Sequence, residues 1–173
     1  MTMNRRLRKL TLTAHVALSV GWLGAVATFL ALGIAALTSQ DTEVVRGAYL
    51  VMELTGWFAL VPLSLASLLT GLISSLGTSW GLLRHYWVVF KLLINLVATI
   101  VLLLYMQTLS YLADIAADAT LPIDELRDPS PVLHAGAALV LLVVATALAI
   151  YKPRGLTRYG QRRQHQQRTV LVP

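Results

Sequence analysis

Cysteine is absent from the 173 residues, so disulfides, thiolate metal sites, iron–sulfur clusters and cysteine nucleophiles are excluded. Acidic residues are scarce, eight against fourteen Lys plus Arg, and charged residues make up 13% of the chain where a soluble domain carries about 25%. The sequence contains no phosphate-binding glycine loop, no HExxH motif and no GxSxG elbow. Its four methionines are scattered, which leaves no methionine-rich copper site. What fills the chain is apolar side chain, 57% of all residues, more than one domain of this length hides from water. An integral membrane protein follows.

Four apolar runs carry that excess, over about 10–37, 49–76, 86–112 and 132–151. Each reaches the ~20 residues that cross ~30 Å of hydrocarbon as a helix. Strands of a barrel would be half that length and would alternate, and inside lipid only a helix satisfies the backbone of such a run. The first run exceeds a signal-peptide core, so it reads as a retained helix. The expected fold is all-α: a four-helix transmembrane bundle with antiparallel neighbours, between a basic N-tail, 1–9, and a basic C-tail, 152–173. The tail composition carries no stacking platform, and it reads as an unfolded topology signal with weak attraction to lipid headgroups.

Charge sets the orientation. Arg5, Arg6, Arg8 and Lys9 precede the first run, Arg84 follows the second, and Lys152, Arg154, Arg158, Arg162, Arg163 and Arg168 follow the fourth. The other two connections hold only Arg46 and Arg127 among the acids Asp41, Glu43, Asp114, Asp118, Asp124, Glu125 and Asp128. Eleven cations against two place both termini in the cytoplasm by the positive-inside rule. The expected location is a cell membrane crossed several times, a bacterial plasma membrane. Trp80, Trp87 and Tyr151 would mark the cytoplasmic interface, and Tyr49 and Tyr111 the outer one. The net charge therefore points to the bilayer and not to nucleic acid. A second copy or another membrane protein is the expected protein partner.

Polar residues at membrane depth are costly unless they face the bundle. On the first helix Thr11, His15, Ser19 and Trp22 share a face, and on the third Arg84, Lys91, Asn95 and Thr99 do. His15 lies six residues beyond Lys9 and Lys91 seven beyond Arg84, both about 9–10 Å along parallel helices from the basic edge. No acidic residue occurs in the basic, cytoplasmic half in which Lys91 lies. Lys91 either snorkels to lipid phosphate, or it turns inside and there meets an anionic ligand or is neutral in a dry pocket; Asn95 one turn deeper suits the inward readings. His15 is either a metal or heme ligand through a neutral imidazole nitrogen or a histidine that hydrogen-bonds Ser19 or a facing helix. Near the acidic end Glu53 and His134 form a second polar pair that could bind a cation, relay a proton or simply reach interfacial water. Pro62 should kink the second helix, and Ser64, Ser67, Gly71 and Ser74 form a small-residue face suited to close helix packing.

Two segments carry a family resemblance. His15-Val-Ala-Leu-Ser-Val-Gly-Trp22-Leu-Gly24 and Trp87-Val-Val-Phe-Lys91-Leu-Leu resemble the first and third helices of a group of small bacterial membrane proteins. That group includes the copper-resistance protein D domain, the HemJ-type protoporphyrinogen oxidase and relatives of uncharacterised activity. The resemblance implies that His15 and Lys91 are the functional pair, with heme b as the associated cofactor. Together these readings point to a ligand site of His15, Ser19, Trp22, Lys91 and Asn95 between helices 1 and 3 in the cytoplasmic leaflet, for heme or another anionic ligand. The alternative is a non-catalytic membrane subunit that binds a partner and no cofactor. A small transporter is less favoured, because no inverted repeat is evident.

The orientation is directly testable, since every introduced cysteine is unique. Asp41→Cys and Glu125→Cys should react with an impermeant maleimide on intact cells, and Arg84→Cys and Arg162→Cys only after permeabilisation. Labelling of the Arg84 position from outside would reverse the topology.

Overall fold

A computed structural model describes residues 3–77, 81–153 and 155–171, with the backbone alone for 166–171. It is an all-α bundle. Four helices are long and apolar enough to cross a membrane: α1 (Arg5–Thr38), α2 (Thr42–Leu76), α3 (Tyr86–Ala117) and α4 (Ser130–Tyr151). A fifth helix, α5 (Arg158–Leu171), follows. Each spanning helix packs on the next and α4 packs back on α1, while α1 faces α3 and α2 faces α4 across the middle. One end of the bundle carries the start of α1, residues 81–85 and α5. The other carries the acidic loops.

The helices overrun the apolar runs at their ends. Asn4 caps α1 by accepting from Arg6 N–H (3.2 Å), so the basic segment 5–9 is helical and not a separate tail. Asp41 accepts from Glu43 N–H at 2.9 Å and starts α2 seven residues before its apolar run, placing Glu43 and Arg46 on the helix instead of in a loop. The segment 114–126 divides between the last turn of α3 and a 3-10 turn at Ile123–Leu126.

The two lone cations of the acidic end have structural work. The Arg46 guanidinium donates to the carbonyls of Ile115 (3.2 Å), Ala116 (3.0 Å), Asp118 (2.6 Å) and Leu121 (2.6 Å), covering the open C-terminus of α3. Arg127 donates to the carbonyls of Leu37 (3.3 Å) and Ser39 (3.2 Å) and does the same for α1. A cation at a helix C-terminus satisfies orphan carbonyls and opposes the negative end of the dipole. Tyr49 is not an interfacial anchor: it is fully buried and donates to the Leu126 carbonyl at 2.6 Å. Tyr111 and Tyr151 are exposed, as an aromatic belt requires. Trp80 lies outside the described residues. Beyond α3, the Thr120 hydroxyl and backbone N–H bind the Asp118 carboxylate and, with Arg46 nearby, hold its pKa below the usual range. That turn is therefore favoured at neutral pH and loses the contribution as pH falls through the lowered value.

Next to Pro62 the second spanning helix changes its winding. The five residues before the second arm of α2, Gly56–Leu60, form a π-helical turn between the α-helical arms Thr42–Thr55 and Val61–Leu76. A proline removes one backbone donor and crowds the preceding turn, and one wide turn relieves both. That turn presses on α3. A Cβ at Gly56 would lie 2.7 Å from Met106 Cε and 2.8 Å from its Sδ.

The C-tail is also folded, which its composition did not show. Lys152 ends α4 in the left-handed region (φ 44°) and turns the chain back over the basic end. Residues 155–157 then run antiparallel to the α2–α3 connection. Thr157 donates its N–H to the Arg84 carbonyl (3.1 Å) and its hydroxyl to that of Leu83 (2.5 Å), and His85 pairs with Leu156.

The helix-capping role of Arg46 gives a stability test. Arg46→Met leaves four carbonyls without their charged donor, at about 1.5–3 kcal/mol for a charge-assisted bond, part of which water restores. Thermal or denaturant unfolding in detergent should show a loss of this order with helicity retained below the transition. An unchanged midpoint would show that the cap carries no stability.

Candidate functional site

The small-residue face of α2 lets α1 come close. Ser64 and Ser67 are buried, and a Cβ at Gly71 would lie 3.0 Å from His15 Cε1. The seam is fastened by polar contacts that hydrocarbon cannot replace. Ser19 Oγ lies 2.8 Å from Ser67 Oγ, and His15 Nδ1 lies 3.1 Å from the Ser67 carbonyl and 3.2 Å from Thr70 Oγ1. Thr70 donates its own hydroxyl to the Ala66 carbonyl at 2.7 Å. Both neighbours of Nδ1 thus accept, so this network assigns the proton to Nδ1 and leaves the Nε2 lone pair of a neutral imidazole free.

Toward the basic end the four helices splay around a cavity of about 830 Å³. His15, Lys91 and Asn95 all line it. Three further cations do so as well, Arg8 and Lys9 from α1 and Lys152 from the end of α4, and no Asp or Glu is among its lining residues. The rest of the wall is mostly apolar, with Leu72, Val88 and Ile150 as examples. Among the described residues Lys91 makes no ion pair; the single one is Arg127–Asp124 at 4.0 Å on the acidic loop. Asn95 is not turned wholly to the cavity, because its amide donates to the Lys91 carbonyl at 2.7 Å. Ser74 also lines the cavity, and its Oγ is buried without a hydrogen-bond partner. Such a donor is costly to leave unmet.

The expected set is therefore divided. His15, Lys91 and Asn95 share the cavity. Ser19 belongs to the α1–α2 seam, and Trp22, 2% exposed, lines an apolar crevice farther along the bundle. Thr11 donates back to the Leu7 carbonyl (2.8 Å). Sequence reasoning missed Arg8, Lys9 and Lys152 as site residues because the same charges serve as topology signals. Their clustering on one helix end or connection was the signal available.

The outer pair is not brought together. α2 and α4 stand on opposite corners of the bundle, and no hydrogen bond or ion pair joins Glu53 to His134 among the described residues. His134 instead donates to the Ser130 carbonyl at 2.8 Å and stacks on Tyr105 with centroids 4.2 Å apart. Tyr105 Oη lies 3.0 Å from Ser130 Oγ, which donates to Asp128 at 2.8 Å. This is a stacked ring pair at the first turns of α4.

As for a metal, no group of three or more His, Cys, Asp or Glu that could hold a bare ion occurs among the described residues, so His15 stands as a lone imidazole. Heme asks for less, one axial nitrogen and cations for its carboxylates, and His15 and Lys91 are groups of those two kinds. No family model, curated protein or solved structure matches the chain.

Proposed function

We propose that this multi-pass membrane protein binds an anionic amphiphile within its bundle at the basic, cytoplasmic end of a bacterial plasma membrane. The observation that carries the reading is the cavity itself, with Arg8, Lys9, Lys91 and Lys152 on its walls, no carboxylate and otherwise largely apolar lining. Lys91, on α3, is partly buried where the other three cations are exposed, and burying an ammonium is tolerable only when an opposite charge or water meets it. An anionic head supplies that charge, and an apolar body suits the walls. His15 and Asn95 then orient the ligand below its head.

A second reading rests on one specific observation, the free Nε2 of an imidazole whose Nδ1 is pinned to α2. A metal-ligating histidine is typically held this way through its other nitrogen. On this reading the anionic amphiphile is a tetrapyrrole such as heme b, His15 is its axial ligand and Lys91 holds a carboxylate.

Dodecyl phosphate titrated into the purified protein tests the first reading, with the fluorescence of Trp87 in the cavity wall as readout. Lys91→Met should weaken binding about ten- to a hundredfold, as the loss of one charge-assisted bond of ~1.5–3 kcal/mol implies, and Lys91→Arg should retain part of it. A Soret band on hemin addition, lost in His15→Ala, would select the tetrapyrrole. Wild-type affinity in Lys91→Met would show that Lys91 holds no anion, and no binding to the wild type would leave a packing subunit with no anion site.

A further inference from the structure

The bundle encloses a second space beyond the first. An apolar crevice of about 220 Å³ lies along α3 and α4, lined among others by Trp22 and Val26 of α1, Val97 and Val101 of α3, and Ala138 and Leu141 of α4. The two linings come close to each other along α3 and α4. On α3 the lining of the basic cavity reaches Asn95 and that of the crevice begins at Val97, about 3 Å of helix rise apart. On α4 the change falls between Thr146 and Leu141. Val97, Val101 and Leu141 are also exposed on the outside of the bundle, so the crevice opens to the bilayer between α3 and α4.

Chemistry changes in one direction along this path. Cations stand at the basic end, the His15 imidazole and Asn95 amide follow, and beyond them the wall is almost entirely hydrocarbon. That order is the order of groups in a lipid, head to tail. From Lys91 to Val101 is about 15 Å at 1.5 Å per residue, half of a ~30 Å hydrocarbon core and so the reach of one leaflet chain. A gap between packed helices forfeits dispersion contacts that a chain restores.

We infer that the ligand of the basic cavity is a long-chain amphiphile with an anionic head, whose chain passes between α3 and α4 into the apolar crevice. This rests on the anion-binding reading above and narrows it from any anionic amphiphile to one with an extended chain. A compact macrocycle filling the basic cavity would leave the crevice unused.

The test uses two photoreactive hexadecyl phosphates, one with a diazirine at the chain end and one with it beside the head, added to the full-length protein in phosphatidylcholine nanodiscs. Mass spectrometry maps the adducts. The chain-end probe should label crevice positions such as Val101 and Ala138, the head-side probe cavity positions such as Leu92, and both should fall at least tenfold in Lys91→Met. Ala138→Phe, which narrows the crevice, should lose the chain-end adduct and keep the head-side one. The wild-type adduct map decides the matter without that variant should it misfold. Chain-end adducts confined to the basic cavity, or spread over lipid-facing residues such as Phe58, while head-side labelling still depends on Lys91, would overturn the chain placement and leave the cavity reading standing. Labelling by both probes that is indifferent to Lys91→Met would overturn the cavity reading and this inference together.

Discussion

An ammonium group inside a helix bundle with no carboxylate to meet it is the constraint on which the site depends. All eight acids of the chain lie at or near one end, and the cavity that contains Lys91 is at the other. The segregation serves orientation, because cations stay on one side of a membrane. It also means that, among the described residues, no Asp or Glu lines the cavity to neutralise a cation drawn into it. Solvent, lipid phosphate or a ligand can supply that charge.

Helix packing then decides what space is available. Without a hydrophobic drive between helices in lipid, close approach comes from small residues and from polar contacts. The α1–α2 seam has both, with Gly71 against the His15 ring and Ser19 and Ser67 in contact. That seam fixes His15 by its Nδ1, while His15 also lines the cavity. The wide turn at Gly56–Leu60, seated on Met106, sets the course of the second arm of α2. At the acidic end Arg46 and Arg127 tie the C-termini of α3 and α1 to neighbouring segments. The acidic end is closed by hydrogen bonds, and the basic end is left open around a cavity.

The spans were legible because an apolar run of ~20 residues has few alternatives in lipid. Their true ends were less so. Polar residues such as Arg5 and Glu43 continue a helix once Asn4 or Asp41 caps it, and hydropathy does not register caps. Helical spacing correctly brought His15, Lys91 and Asn95 to one space, since parallel helices of matched depth leave little freedom. It placed Trp22 there too, but eleven residues from Thr11 is about 16 Å along α1, enough to pass into a different layer. Glu53 and His134 share a depth and not a neighbourhood, because depth says nothing about which corner of the bundle a helix occupies. The tail helix α5 escaped notice for lack of any apolar stripe. Its position comes from backbone pairing with residues 83–86, which leaves no trace in composition.

An interior graded from cations to hydrocarbon suits an amphiphile that is itself so graded, and it suits a non-catalytic packing subunit poorly, since such a subunit has no use for an inward lysine. The two accounts differ most plainly in what the protein carries with it out of the membrane. Native mass spectrometry of the protein extracted in mild detergent, wild type beside Lys91→Met, should show a discrete anionic species retained by the wild type and lost from the variant at equal folded content. The same adducts on both, or none on either, would contradict a lysine-held ligand.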